Sequence, residues 1–144
     1  MTKRKTTVFT LLIGLVWATG CATTADVVRT RADGMSRVYH VSPTQAWKIA
    51  KTVFRWEESD VTEEDRAEGY LVARRGKKWT PWSVLTIAWV EGIDRKHTRV
   101  TVVTKRRTGI HIGTTSIENS FHEHFAQALK IIKAGKFLPP GPPV

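Results

Sequence analysis

The chain has 144 residues, enough for one small domain with extensions and too few for two independently packed cores. With 41% apolar and 25% charged residues it has the composition of a folded protein, which excludes a chain disordered throughout. A formal charge of +10 and a pI near 10.2 favour contact with something anionic, and the compartment decides between nucleic acid, phospholipid head groups and acidic polysaccharide.

The amino terminus reads MTKRKTTVFTLLIGLVWATGC. Lys3, Arg4 and Lys5 precede an apolar stretch of about ten residues and then small residues before a cysteine, the three-part pattern of a secretory signal. The stretch falls short of the roughly 20 residues a membrane span needs, and it is apolar all round, unlike the amphipathic first helix of a soluble domain. Ala18-Thr19-Gly20-Cys21 resembles the lipobox of bacterial lipoproteins. The resemblance implies a signal peptide over residues 1–20 and a diacylglycerol-modified Cys21 carrying palmitate-type chains, ordinary secretion and an uncleaved anchor being the alternatives. Cys21 is the only cysteine, so acylation leaves no free thiol and no intramolecular disulfide. In that family an aspartate after the cysteine retains the protein on the inner membrane. Ala22 in that place implies the outer membrane, periplasmic face, of a host that has one. Cleavage removes Lys3, Arg4 and Lys5 and leaves the mature chain at +7.

Residues 21–36 are polar and aperiodic, a lipidated tether ahead of a domain over residues 37–136. "RVYHVS" is a short strand by composition. Ser42-Pro43-Thr44-Gln45 then offers an N-cap serine, a proline at the first helical position and a glutamine three residues after the cap. Ala46, Ile49, Ala50, Val53 and Phe54 repeat at helical spacing, predicting a helix over 43–55. A short strand near 58–62 and strands over 69–75, 82–91 and 98–105 follow, with turns at Gly76 and in "GIDRKH". Ile117, Phe121, Phe125, Ala128 and Ile132 form the stripe of a last helix over 116–133, stopped by Gly135. The tail, 137–144, is proline-rich and continues neither helix nor central strand.

The order strand, helix, strands, helix with short loops predicts an α+β fold: an antiparallel sheet of four or five strands with two amphipathic helices on one face. The first helix, the acidic segment after it and the pattern D-x-x-x-G-Y-L-V-A at Asp65 to Ala73 resemble small bacterial lipoprotein domains. These are of the kind seen in the C lipoprotein of the outer-membrane β-barrel assembly machinery, and the likeness covers residues 37–133. It implies a non-enzymatic binding or scaffold role.

Catalytic and metal chemistry find little purchase. His122 and His124 are two apart on a helix, rotated by about 200°, and cannot share an ion as i and i+4 ligands do. The periodicity places His124 inside the apolar stripe and His122 outside it, one core-edge and one solvated histidine, with His111 in the preceding loop. There is no nucleophile elbow and no glycine-rich phosphate loop. Seven of the thirteen acidic residues crowd between Glu57 and Glu68, where they suit a solvated edge, and neither Asp60 nor Asp65 begins an EF-hand pattern. No enzyme, cofactor or metal is expected.

The sharper feature is basic. Arg74, Arg75, Lys77 and Lys78 end one strand, and Lys105, Arg106 and Arg107 end another two strands later. In a meander the first and third strands run parallel, which brings both clusters to one end of the sheet, with the acidic segment expected at the other. Trp79 and Trp82 lie beside the first cluster, pairing amphipathic rings with positive charge. In the periplasm the partner of such a surface is anionic lipid, lipopolysaccharide phosphate or cell-wall polymer, with no nucleic acid expected; the alternative is a structural accessory of an outer-membrane complex that binds a partner protein through the loop of Trp79 and Trp82. The other reading has the cations flank a hairpin while the two tryptophans complete the core.

Overall fold

The computed structural model describes residues 30–76, 83–106 and 114–143. Strands β1 (Met35–Tyr39), β2 (Asp60–Asp65), β3 (Tyr70–Arg75), β4 (Val84–Gly92) and β5 (Thr98–Arg106) form one antiparallel sheet in the order β1-β5-β4-β3-β2. Helix α1 (Pro43–Trp56) carries the chain from the β1 edge to the β2 edge, and α2 (Thr114–Lys133) follows β5. This is the expected α+β architecture. Strands β2 to β5 are a plain meander, while β1 needs a helical crossover to reach the opposite edge.

Both helices lie on one face of the sheet, the inner face. Alternation points Leu71, Ala73, Ala88, Val90, Val100 and Val102 into a single core with Ile49, Val53 and Phe54 of α1 and Phe121, Phe125 and Leu129 of α2. Aromatic rings join the layers: Phe54 to Phe121 with centroids 5.0 Å apart, Tyr39 to Phe125 at 4.4 Å. Each fully buried phenylalanine contributes about 1.5–3 kcal/mol of transfer free energy. The outer face carries a smaller buried cluster of Tyr70, Val72, Ile87, Trp89 and Val103.

The helix signals act locally. Ser42 is extended, and its hydroxyl accepts from the Gln45 amide at 3.4 Å with Pro43 at the first helical position. Both helices stop by the same device. Lys136 N–H bonds Ile131 O and Gly135 N–H bonds Ile132 O, with Gly135 at φ +71°. In α1, Ser59 N–H bonds Phe54 O and Glu58 N–H bonds Arg55 O, but the left-handed position is held by Glu58 at φ +53°.

The fold takes in more of both extensions than composition implies. A 3-10 turn (Thr30–Asp33) lies against β5, and a Cβ on Gly34 would come within 2.6 Å of Val103 Cγ2 and 3.0 Å of Val102 O, so only glycine permits that approach. At the other end Trp56 Nε1 donates to Pro139 O at 3.0 Å, and Leu138 packs on the core.

One expectation reverses. His122, expected in solvent, is fully buried, whereas His124 is half-buried. The buried face of α2 runs through Glu118, Phe121, His122, Phe125, Ala128 and Leu129, so two of its positions are polar and a stripe drawn from apolar residues alone is rotated away from it. His122 Nε2–H donates to Met35 O at 2.9 Å, and Nδ1 accepts from the Tyr39 hydroxyl at 2.8 Å, which ties α2 to the edge strand. Burial holds the imidazole below the ordinary histidine pKa and keeps it neutral, and pushes the Tyr39 hydroxyl up to about 12.

Candidate anion-facing end of the sheet

Because β3 and β5 both run antiparallel to β4, their carboxyl ends meet beside the start of β4. The register sets Arg74 across from Leu85 and Leu85 across from Lys105, with Arg75, Val84 and Arg106 in the next row. The described members of the two basic clusters therefore come to one end, and alternation divides them between faces. Arg74 and Lys105 share the outer face, while Arg75 and Arg106 occupy inner-face positions. Cys21, Lys77, Lys78, Trp79, Trp82, Arg107 and His111 lie outside the described residues, as does the side chain of Arg106.

The division has a chemical consequence. Arg75 turns to the end of α1, where its Nη2 meets Glu57 Oε2 at 2.7 Å and its Nε donates to the Glu57 carbonyl at 2.6 Å. The other carboxyl oxygen of Glu57 accepts from the Ser120 hydroxyl and from His124 Nδ1, both at 2.7 Å. The Trp56 ring stands edge-on to His124 with centroids 6.1 Å apart. The Glu57 side chain is 7% exposed, so one buried carboxyl group gathers donors from β3 and α2 and pins the end of α1 to both. Arg74 instead makes one long contact, 3.5 Å, to Ser83 Oγ.

Acidic residues stand elsewhere than expected. The segment from Asp60 to Asp65 is the edge strand β2, running the length of β3 with Asp60 opposite Arg74 and Asp65 opposite Tyr70. It begins at the basic end, because a tight turn of the chain returns β3 directly along β2. Its exposed carboxylates protect an edge that would otherwise template further strands. A bulge between Val61 and Glu63 puts Val61 and Glu64 on the inner face. There Glu64 meets Lys51 and accepts from Trp47 Nε1, and the lysine holds its carboxyl below the usual range. Glu63 accepts from the Tyr70 hydroxyl at 2.7 Å, a bond that pushes this tyrosine up to about 12. Glu57 departs from the expected solvated edge by being buried.

A second carboxyl group is buried at this end. Glu118 accepts from the Thr104 amide at 2.9 Å, and desolvation raises its pKa above the ordinary carboxyl value. Both glutamates sit where the helical period continues through polar residues: Glu57 one turn beyond Val53, Glu118 one turn before His122. In the sequence Ser120 and His124 stand at i and i+4 on α2, but only the structure brings them to Glu57. Among the described residues no group of three or more His, Cys, Asp or Glu is placed to hold a metal ion.

The outer face also holds an open groove of about 550 Å³ between the 3-10 turn and the sheet, lined by Arg31, Gly34, Ser36, Glu91, Arg99 and Thr101. Glu91 is shared by Arg31 at 2.6 Å and Arg99 at 3.4 Å.

No protein-family model matches the chain, and no curated protein does. Solved structures share parts of the fold: an uncharacterised protein of Bacillus thuringiensis, 15% identical over 71% of this chain and 96% of that one, has a TM-score of 0.43. The protein XoxI of Bacillus cereus is 17% identical over 71% of this chain and 92% of its own, with a TM-score of 0.43. The di-domain aromatase/cyclase BexL of the BE-7585A biosynthetic pathway is 10% identical, and 44% of its chain is covered, at a TM-score of 0.43. At these scores the likenesses assign no activity.

Proposed function

We propose that the chain is a lipid-anchored envelope lipoprotein, acylated at Cys21 and facing the periplasm from the outer membrane, whose α+β domain is a non-catalytic binding or assembly module. The observation that carries this reading is the run of Lys3, Arg4 and Lys5, a short apolar stretch and Ala18-Thr19-Gly20-Cys21. Its support is spatial: the 3-10 turn begins at Thr30, nine residues after Cys21, within about 30 Å of extended chain from the acyl group. Two or three acyl chains hold such a protein stably where one holds only marginally.

In this reading Arg74 and Lys105, with Lys77, Lys78, Arg106 and Arg107, face an anionic envelope component, and Arg75 is committed to Glu57. Intact mass and membrane fractionation in a Gram-negative host test the anchor. The wild type should begin at Cys21 with acyl chains and sediment with outer membrane, Cys21→Ser should be released, and an unprocessed product would end the proposal. Charge reversal at Arg74 and Lys105 tests the surface. Reversing both should weaken salt-sensitive adhesion to lipopolysaccharide or cell-wall polymer by about tenfold or more. Unchanged adhesion in a folded variant removes these residues from the interface.

A further inference from the structure

The two ends of the sheet stand about 27 Å apart along β4, taking 3.4 Å per residue. The chain enters the fold toward the second of them. Gly34 lies against Thr101 and Val103 in the middle of β5, and three residues earlier Arg31 reaches Glu91, next to the β4–β5 hairpin. Among the described residues the chain therefore begins on the outer face, with the Arg31 side chain directed to the hairpin end rather than to Arg74 and Lys105.

That end carries the surface chemistry of a bilayer contact. Of the three large hydrophobic side chains exposed among the described residues, Ile93 (50%) is in the hairpin and Val38 (54%) is opposite Arg99 in the adjoining strand pair. Arg95 and Lys96 are exposed beside Ile93. The two carboxylates here are engaged within the fold: Glu91 by Arg31 and Arg99, Asp94 by the backbone amides of Lys96 and His97. The Ile93 amide donates to His97 O at 2.9 Å, closing the turn that presents the isoleucine. At the opposite end Arg75 is bound to Glu57 and Asp60 is paired with Arg74 in the register of β2 and β3. The third exposed apolar side chain, Phe137, stands two residues before Pro139, whose carbonyl accepts from Trp56 at the end of α1.

We infer that the β4–β5 hairpin end, with Ile93 and Val38 flanked by Arg95, Lys96 and Arg99, is the surface that docks on the anionic bilayer holding the acyl anchor. The inference rests on the acylation of Cys21 proposed above. It gives the domain an orientation: the hairpin lies at the head groups, and the Arg74 and Lys105 end points away from that membrane toward wall polymer or a partner.

The test uses the acylated full chain in vesicles of phosphatidylglycerol and phosphatidylethanolamine. Acylation occupies Cys21, so Ile93→Cys or, at the distal end, Asp60→Cys supplies the one free thiol for an environment-sensitive fluorophore. The expected result is blue-shifted emission at position 93, quenched by brominated lipid, with neither effect at position 60. Arg95→Glu with Lys96→Glu should lower the docked fraction at position 93 on the order of tenfold or more, since each basic residue near an anionic surface contributes about fivefold. A silent probe at 93 in an acylated protein, or stronger quenching at 60, overturns the orientation and leaves the anchor standing. A protein without acyl mass overturns the anchor, and the orientation with it.

Discussion

Glu57 and Asp94 are each multiply hydrogen-bonded carboxylates, at opposite ends of the sheet, and do different work. Each carboxyl group gathers several donors, but those of Glu57 come from Arg75, Ser120 and His124, up to 67 residues away in the chain. Those of Asp94 come from Lys96 and His97, within three residues. Glu57 is buried and ties three elements together, whereas Asp94 is exposed and shapes one turn. Hydrogen bonding alone therefore does not rank these groups: desolvation and the distance in sequence between partners decide which of them the fold depends on.

Neutralising each carboxylate in place tests that contrast, and Glu57→Gln should show the largest effect. A glutamine here can turn its oxygen to Arg75 and its amide nitrogen to Ser120 Oγ and His124 Nδ1, both of which can accept, so what the substitution removes is the negative charge facing Arg75. The loss of that partly buried ion pair should destabilise the domain by about 1–3 kcal/mol, read from the urea midpoint of the full chain. A shift under about 1 kcal/mol would mean that water reaches the site and that the two carboxylates are equivalent after all.

The comparison also explains what could be read from the chain. The meander, both helices and the meeting of the two basic clusters follow from local signals: period two in 98–105, period 3.6 in 43–55, Ser42 and Pro43 at one start, Gly135 at one stop. The split of the cations between two faces also follows from alternation, once the register is known. The burial of Glu57 and His122 was not legible, because a polar residue on a buried face is identified by its partners and these lie far along the chain: Arg75, Ser120 and His124, 18 to 67 residues from Glu57, and Met35 and Tyr39, 83 or more from His122. The end of α1 was legible to within one residue from its apolar period, although Glu58 occupies the left-handed position where the local signal is glycine. The basic residues were legible as a charge pattern, but only the ion pair at Glu57 shows that Arg75 belongs to the fold.

Between the two ends, His122 should set the acid limb of stability, with an effect below that of Glu57→Gln. Its folded pKa lies below the ordinary 6.5, so at acid pH the unfolded chain binds the proton more readily. The stabilisation from the neutral imidazole is complete above about 6.5 and is lost as pH falls through the folded pKa. Glu118 works with the opposite sign, its raised pKa making the folded protein the better proton binder between about 4.5 and its folded value, so its contribution is lost as pH rises through that value. Urea midpoints at pH 7.5 and 5.0 should fall with acid in the wild type. His122→Gln can still donate to Met35 and accept from Tyr39, and should flatten that fall while lowering both midpoints. An unchanged slope would assign the acid limb to other groups.

Asp94→Asn should have the smallest effect on folding, because its carboxylate is exposed where that of Glu57 is buried. The amide oxygen can still accept from the Lys96 and His97 backbone, and the new amide nitrogen faces His97 Nδ1, which accepts in its neutral form with the proton on Nε2. No donor is left facing a donor, and the site is exposed, so the urea midpoint should stay at the wild-type value. The turn keeps its shape, Ile93 stays presented, and one negative charge leaves a surface that carries Arg95 and Lys96. Docking of the hairpin on phosphatidylglycerol vesicles should therefore strengthen, by up to about fivefold at low salt and less as the Debye length shortens. Unchanged folding with stronger docking would separate the two carboxylates cleanly, one holding the core and the other tuning a surface. A lowered midpoint would instead place Asp94 among the residues the fold needs, and the contrast between the two ends would fail.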